Sequence, residues 1–239
     1  MSFAQYQALS FDCYGTLINW EAGILAALKP LRDLKGDAAG SDDQVLAAFA
    51  AAETAEEHAS PGLRYSALLA KVHARLAKTW KVDAPGALHE RFGSPIPDWP
   101  PFPDSKAALA ELRRHAKLMI LSNVDRTSFA ASNKKLGEPF SAVYTAEEIG
   151  SYKPDPRNFD YLLSHAKDDL SVTPDRLLHV AQSLFHDHVP AKAAGLATVW
   201  IDRRQGRGGG ATKTPANAPK PDDTFASMAD FAKAFTKGR

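Results

Sequence analysis

Short runs of apolar and β-branched residues recur at 8–13, 117–122, 142–145, 177–181 and 197–201, and each reads as a strand. Helical spacing fills most of the intervals. Between 104 and 115, Ala107, Ala108, Leu109 and Leu112 recur at that spacing behind Pro103, with Asp104 as the expected N-cap. Residues 158–166 place Phe159, Leu162 and Leu163 together, and a short helix over 188–194 is expected to stop at Gly195, a C′ glycine. Strands alternating with helices predict an α/β fold, its parallel sheet covered on both faces.

The first two strands are about a hundred residues apart, too far for one ordinary crossover. The interval is Ala-rich and helical in pattern over 21–34, 42–59 and 64–80, more weakly over 85–92. Ser41 followed by Gln44 has the form of a capping box. SPIPDWPPFPD, with five prolines, cannot be helical. Residues 18–97 therefore read as a helical insertion into a core made of 1–17 and 98–239. After Asp202, RRQGRGGGATKTPANAPKPDD reads as a surface loop, and a closing helix is expected over 224–235.

At ~150 residues per domain, 239 residues suit one large domain or a core with an insertion. The 29 Lys+Arg against 28 Asp+Glu leave no broad basic footprint for nucleic acid. Cys13 is the single cysteine, so no internal disulfide forms. The longest apolar run, 45–52, is far short of the ~20 residues that cross a bilayer. MSFAQYQALSFD has neither the basic nor the long apolar region of a secretory signal. A soluble cytoplasmic protein, with no nucleic-acid or membrane partner, is the expectation.

Ligands of a parallel sheet sit beyond the carboxyl ends of the strands. Three predicted strands end there in polar residues: Asp12, then Ser122-Asn123, then 182–187. In FDCYGTL, Gly15 permits a tight turn and Thr16 offers a hydroxyl beside Asp12. Singly, each has a plain structural reading. Asp12 and Asp187 suit helix caps, Ser122-Asn123 a turn, and Lys153 in SYKPDP a solvated loop.

Taken in order, strand–Asp, strand–Ser/Asn, loop–Lys-Pro and strand–acidic loop resemble the four-motif pattern of the haloacid dehalogenase superfamily, over residues 11–202. DCYGTLINW is most similar to the type II (S)-2-haloacid dehalogenase branch. The resemblance implies a Rossmann-like core under a helical cap, with the active site at their interface. It implies catalytic roles for Asp12, Thr16, Ser122, Lys153 and Asp187. Asp12 would attack Cα of a 2-haloacid, expel halide with inversion and form an ester. Water would then attack the Asp12 carboxyl carbon and release the 2-hydroxy acid. Lys153 is expected to lower the Asp12 pKa and keep it ionised. Thr16 and Ser122 would orient its oxygens, and Asp187 would anchor Lys153 and position or activate the water.

The candidate substrate- and halide-binding set is Cys13, Tyr14, Trp20, Asn123 and His186. Asn123 maps to the family's halide cradle. His186, where an aromatic residue is common, either donates to a small hard halide or is a buried histidine satisfied by backbone. Trp20 either lines the pocket or packs the hinge. Cys13 falls on the strand face opposite Asp12 and by that criterion is structural. Phe11 and Phe185 read as core.

The chain also departs from the superfamily's phosphatases. Tyr14 replaces the second Asp that protonates a departing alkoxide, and a phenol with pKa ~10 substitutes poorly. The run Gln182-Ser183-Leu184 lacks the metal-binding carboxylate expected ahead of Asp187. Halide needs no acid and the substrate no metal, so neither metal nor cofactor is expected. The alternatives are a superfamily phosphatase or other small-molecule hydrolase, and a non-catalytic ligand-binding protein. The cap arginine of type II enzymes has no counterpart in QVLAAFAAAETAEEH. Arg64 either substitutes for it or is a solvated helix-start residue, and Phe159 stands where the family has a tyrosine. A small haloacid is the expected partner, with homodimerisation common in the branch.

Overall fold

The computed structural model describes residues 2–207 and 215–238. Among these, β1 (Ala8–Phe11), β2 (Lys117–Ser122), β3 (Ala142–Thr145), β4 (Leu177–Ala181), β5 (Ala197–Ile201) and β6 (Asp223–Phe225) form one sheet in the order β3-β2-β1-β4-β5-β6. Every pairing is parallel. Central β1 aligns Phe11 with Ile120 of β2 and with Val180 of β4. This register brings Asp12, Ser122 and the residues after Ala181 to one edge, at the point where the strand order reverses.

The helices are α1 (Trp20–Lys35), α2 (Asp42–Ala59), α3 (Tyr65–Trp80), α4 (Gly86–Arg91), α5 (Ser105–Leu112), α6 (Arg126–Leu136), α7 (Ala146–Ile149), α8 (Arg157–Leu170), α9 (Val189–Ala193) and α10 (Met228–Lys237). All four residues of β1 are buried, as a central strand covered on both faces requires. Leu9, Phe11, Ile120 and Val180 pack with Leu109, Phe129 and Phe231 of α5, α6 and α10. Ala8, Met119 and Leu121 pack instead with Phe159 and Leu162 of α8 and Ala191 of α9. Period-2 strands thus feed two cores, and the fold is a Rossmann-like α/β sheet.

The first core continues into the helices after β1, through Ile24, Leu28, Phe49, Leu69 and Val72. Residues 18–97 hold no strand, and α1–α4 lie there. Chain entry and exit run side by side. Ile18 bridges Pro101, Asn19 N–H donates to the Pro100 carbonyl at 2.8 Å, and Phe102 N–H to that of Leu17 at 3.0 Å. The Ser41–Gln44 capping box is present in both directions. No described helix is long and apolar enough to cross a membrane.

Several expectations are corrected. β1 stops at Phe11 because the Cys13 carbonyl turns back to accept from the N–H groups of Leu17 and Ile18, at 2.7 and 2.9 Å. Asp104 is the N-cap residue of α5, its carbonyl accepting from Ala108 N–H at 3.0 Å, but its side chain makes no cap bond and instead takes two 2.9 Å hydrogen bonds from Arg203. The predicted loop over 203–223 ends in β6, and the closing helix starts later, with Ser227 accepting from Asp230 N–H as its N-cap. Residues 208–214 of that loop lie outside the described residues. Between β2 and β3, α6 was not anticipated. Its buried face carries Ser128 and Ser132 beside Phe129 and Leu136, which blurs the apolar period.

Candidate active site

Asp12 follows β1 and its amide donates to the Val180 carbonyl at 3.2 Å, which ties it to β4. The chain then turns through Gly15 at φ +96°, a conformation that favours glycine. A Cβ there would also stand 2.9 Å from the Trp20 indole nitrogen. The turn folds Thr16 back over Asp12, so its hydroxyl donates to Oδ2 at 2.7 Å while accepting from Gln182 N–H at 2.9 Å.

Lys153 supplies the other contact. Its ammonium donates to Asp12 Oδ1 at 3.0 Å, to Asp187 Oδ1 at 2.6 Å and to the Leu121 carbonyl at 2.9 Å. All three of its N–H bonds are therefore used inside the protein. Asn123 sets the backbone from which this side chain reaches: Oδ1 accepts from Lys153 N–H at 2.7 Å, and Nδ2 donates to the Lys153 carbonyl at 2.9 Å. At 1% exposure Lys153 is not a solvated loop lysine, and Asp187, also 1% exposed, is not a helix cap.

Behind Asp187 lies a second relay. His179 Nε2 is 3.0 Å from Asp187 Oδ1, and its Nδ1 is 2.8 Å from Ser10 Oγ. The carboxylate assigns the ring proton to Nε2, leaving Nδ1 to accept from the serine. Burial pulls the Asp187 pKa upward, but the Lys153 charge and the His179 hydrogen bond overcome it and hold the group far below the carboxylate range. Burial would lower Lys153, yet the two aspartates raise it. Asp12 moves upward on balance, against the expectation from sequence. Its own burial exceeds the opposing pull of Lys153, whose single charge is shared with Asp187 at the shorter distance, and Asp187 adds repulsion. A carboxylate so raised is more basic, which favours nucleophilic attack.

Asp12, Tyr14, Trp20, Ser122, Asn123, Lys153, His186 and Asp187 line one cavity of about 60 Å³. This is a small space, suited to a small substrate. Thr16 is buried beneath Asp12. Cys13 is fully buried and packs in the first core, not among the lining residues, so it leaves the substrate-binding set. Tyr14 presents its ring, while its hydroxyl sits 3.0 Å from Ser132 Oγ on α6. Trp20 packs edge-on against Phe49 and also lines the cavity. The Nδ1 of His186 is 3.3 Å from Ser183 Oγ. Arg64 does not replace the missing cap arginine; it is exposed and paired with Glu147 at 2.6 Å. Phe185 is no core residue: it is partly exposed in a neighbouring cavity of about 400 Å³. Ser122 Oγ and Asp187 Oδ2 are buried without a protein partner.

Two lining residues were missed in the sequence, Glu53 and Glu57 of α2; Tyr65, beside Arg64 at the start of α3, and Ser183 complete the lining. Tyr65 donates to Glu53 Oε1 at 2.5 Å, and Asn123 Nδ2 stands 3.4 Å from Glu57 Oε1. Burial pushes Glu53 up to about 7. Burial, reinforced by the charge of Glu53, raises Glu57 well above the usual range.

The donor set does not fit a resident metal ion. Asp12 and Asp187 converge on an ammonium group, Asp187 Oδ1 is shared between Lys153 and His179, and Ser183 supplies only a hydroxyl. No group of three His, Cys, Asp or Glu is arranged around a common point among the described residues.

A parallel α/β sheet with a buried Asp–Lys–Asp cluster at its switch point is the layout of an enzyme site. Residues 6–195 match the model of the haloacid dehalogenase-like hydrolases, and the chain belongs to that hydrolase family. A phosphoserine phosphatase from Thermus thermophilus is 32% identical over 121 residues, 48% of this chain and 46% of that protein. A pyrimidine 5'-nucleotidase, YjjG of Escherichia coli, is 30% identical over 123 residues, 49% of this chain and 52% of that protein. The matched region spans about half the length of these curated relatives. The fold is also that of the L-2-haloacid dehalogenase from Xanthobacter autotrophicus, solved with chloropropionic acid covalently bound. The two share a TM-score of 0.75 and 18% identity, covering 95% of this chain and 97% of that one.

Proposed function

We propose that this hydrolase removes halide from small 2-haloalkanoic acids through an ester on Asp12, residues 18–97 serving as the cap over a core of 1–17 and 98–239. The observation that carries the reading is the position of Tyr14. The residue two places after the candidate nucleophile turns its hydroxyl to Ser132, at 3.0 Å, and burial raises that phenol far above its ordinary value. A leaving group that departs as a weak base needs no proton from it.

In the first step an Asp12 oxygen bonds to Cα as the carbon–halogen bond breaks, and halide leaves with the bonding pair. Thr16 and Lys153 hold one carboxylate oxygen each, which fixes the line of attack; such alignment is worth about 7–11 kcal/mol of barrier. In the second step water adds to the Asp12 carboxyl carbon. The ester bond breaks, the 2-hydroxy acid leaves, and one proton is released for each halide. Asp187, held far below the carboxylate range, is a poor base at neutrality. Its free buried Oδ2 suits it to orient the water as a hydrogen-bond acceptor.

Ion chromatography of halide from fluoro-, chloro- and bromoacetate, with and without EDTA, tests the proposal. EDTA-resistant halide release is expected. The second reading, phosphate-ester hydrolysis, draws on the phosphatase and nucleotidase relatives. It would prevail if phosphate esters alone were hydrolysed and chelation abolished the activity.

A further inference from the structure

The charges around the cavity do not suit an anion. Asp12, Glu53, Glu57 and Asp187 line it against one ammonium, Lys153, whose three N–H bonds already serve Asp12, Asp187 and the Leu121 carbonyl. No arginine is among the lining residues. A carboxylate entering this enclosure would add a further buried negative charge with no free cation to meet it. Bare, such a charge is unfavourable.

The groups able to relieve it sit on one helix face. Glu53 and Glu57 are four residues apart on α2 and both line the cavity. One oxygen of each is engaged, by Tyr65 and by Asn123. A neutral carboxylic acid has what a carboxylate lacks, an O–H donor. Independently, Ser122 Oγ, 2% exposed and lining the same cavity, has no protein partner. It is a second donor available to a ligand. Glu57 and Lys153 line both this cavity and the one of about 400 Å³ beside it, so the pair stands where the two spaces meet.

We propose that Glu53 and Glu57 form the acid pair that receives the anionic group of the substrate, so that the site takes up a small carboxylate together with a proton. The inference rests on the hydrolytic reading for its substrate class, and it assigns the recognition role that no arginine fills. Binding without the proton leaves an uncompensated charge; binding with it makes a charge-assisted O–H···O⁻ bond. The upward displacement of both glutamates agrees, since their protons are retained into the neutral range. The charged and titratable groups facing the pair are Tyr65 of α3, Asp12 and Tyr14 after β1, Lys153 and Tyr152 ahead of α8, and His186 and Asp187 after β4, with His58, Asp155 and Arg157 beside Glu57 in the adjoining cavity. Of these, Asp12 and Lys153 are held in the buried ion pair, Asp187 stays ionised, and all three phenols are pushed up. His58 follows Glu57 on α2 and does not line this cavity, so its Gln variant serves as the control.

Propionate, which resembles the substrate but has no halogen, is the probe. Calorimetric titration of the full chain at pH 8, in two buffers of different ionisation heat, should show uptake of about one proton per propionate bound. Affinity should fall roughly tenfold per pH unit above the pair's titration. In Glu53→Gln and in Glu57→Gln the uptake should drop and the pH dependence flatten, whereas His58→Gln should keep both. Binding without proton uptake, no binding between pH 5.5 and 8.5, or loss of the uptake in His58→Gln alone would each overturn the acid pair. Halide release separates this from the parent reading. Haloacid turnover with proton-independent propionate binding sinks only the acid pair; proton-coupled binding without any haloacid turnover sinks only the dehalogenase reading.

Discussion

Glu53→Gln should make the protein more stable, and by an amount that depends on pH. In the folded chain the buried Glu53 carboxyl releases its proton only near pH 7, against an ordinary value of 4.5. Below pH 4.5 both folded and unfolded chains hold the proton, so the group costs nothing. Between 4.5 and 7 the folded state binds more protons, and stability falls as pH rises; above 7 the loss is complete. A displacement of that size corresponds to about 3 kcal/mol at pH 8, and to less than about 1 kcal/mol at pH 5. Glutamine keeps the shape and still accepts from the Tyr65 hydroxyl, so the variant removes the titration with little change in packing. Equilibrium urea denaturation of both proteins at pH 5 and pH 8 measures the difference. Glu53→Gln should gain about 3 kcal/mol at the higher pH and little at the lower. A difference that is the same at both pH values, or a destabilisation at pH 8, would refute the reasoning that burial holds this carboxyl protonated.

Lys153→Met leaves two buried aspartates without their shared cation. It should cost about 3–5 kcal/mol at pH 7, less as pH falls and the carboxylates protonate, and more than about a hundredfold in halide release. Tyr14→Phe should keep kcat/KM within a few-fold, since its hydroxyl serves Ser132; loss beyond about a hundredfold would make it a general acid after all. Asn123→Ala frees the Lys153 backbone at both its N–H and its carbonyl, and should lower kcat by about ten- to a hundredfold while Asp12 and Thr16 stay in place, as steady-state kinetics and a crystal structure of the variant would show.

The centre of the site was legible in the chain because strand ends in a parallel sheet are where ligands bind. Asp12, Ser122 and Asp187 each follow an apolar run, and the register of β1 with β2 and β4 joins them. Lys153 needed the motif order, because an isolated loop lysine carries no sign of burial. Glu53 and Glu57 went unread for a different reason. In AAAETAEEH they look like a solvated helix face, yet they continue the buried stripe of Leu46, Phe49 and Ala50 at helical spacing. Carboxylates falling on an apolar stripe were the available signal. The relay from Ser10 through His179 to Asp187 was likewise invisible: Ser10 and His179 sit inside strand patterns as two small interruptions, and only the pairing of β1 with β4 shows that they are opposite one another. β6 lay beyond reach for want of length, since Asp223–Phe225 offers three residues after a Pro-rich stretch.

The covalent role of Asp12 is tested most directly by one turnover in water enriched in oxygen-18, with enzyme in excess over 2-chloropropionate. The oxygen that leaves in the 2-hydroxy acid should be the one Asp12 brought to Cα, so the first product should be unlabelled. The peptide containing Asp12 should gain one heavy oxygen by mass spectrometry. Label in the first product with none in that peptide would mean that water attacks the substrate itself, and the aspartyl ester would be ruled out.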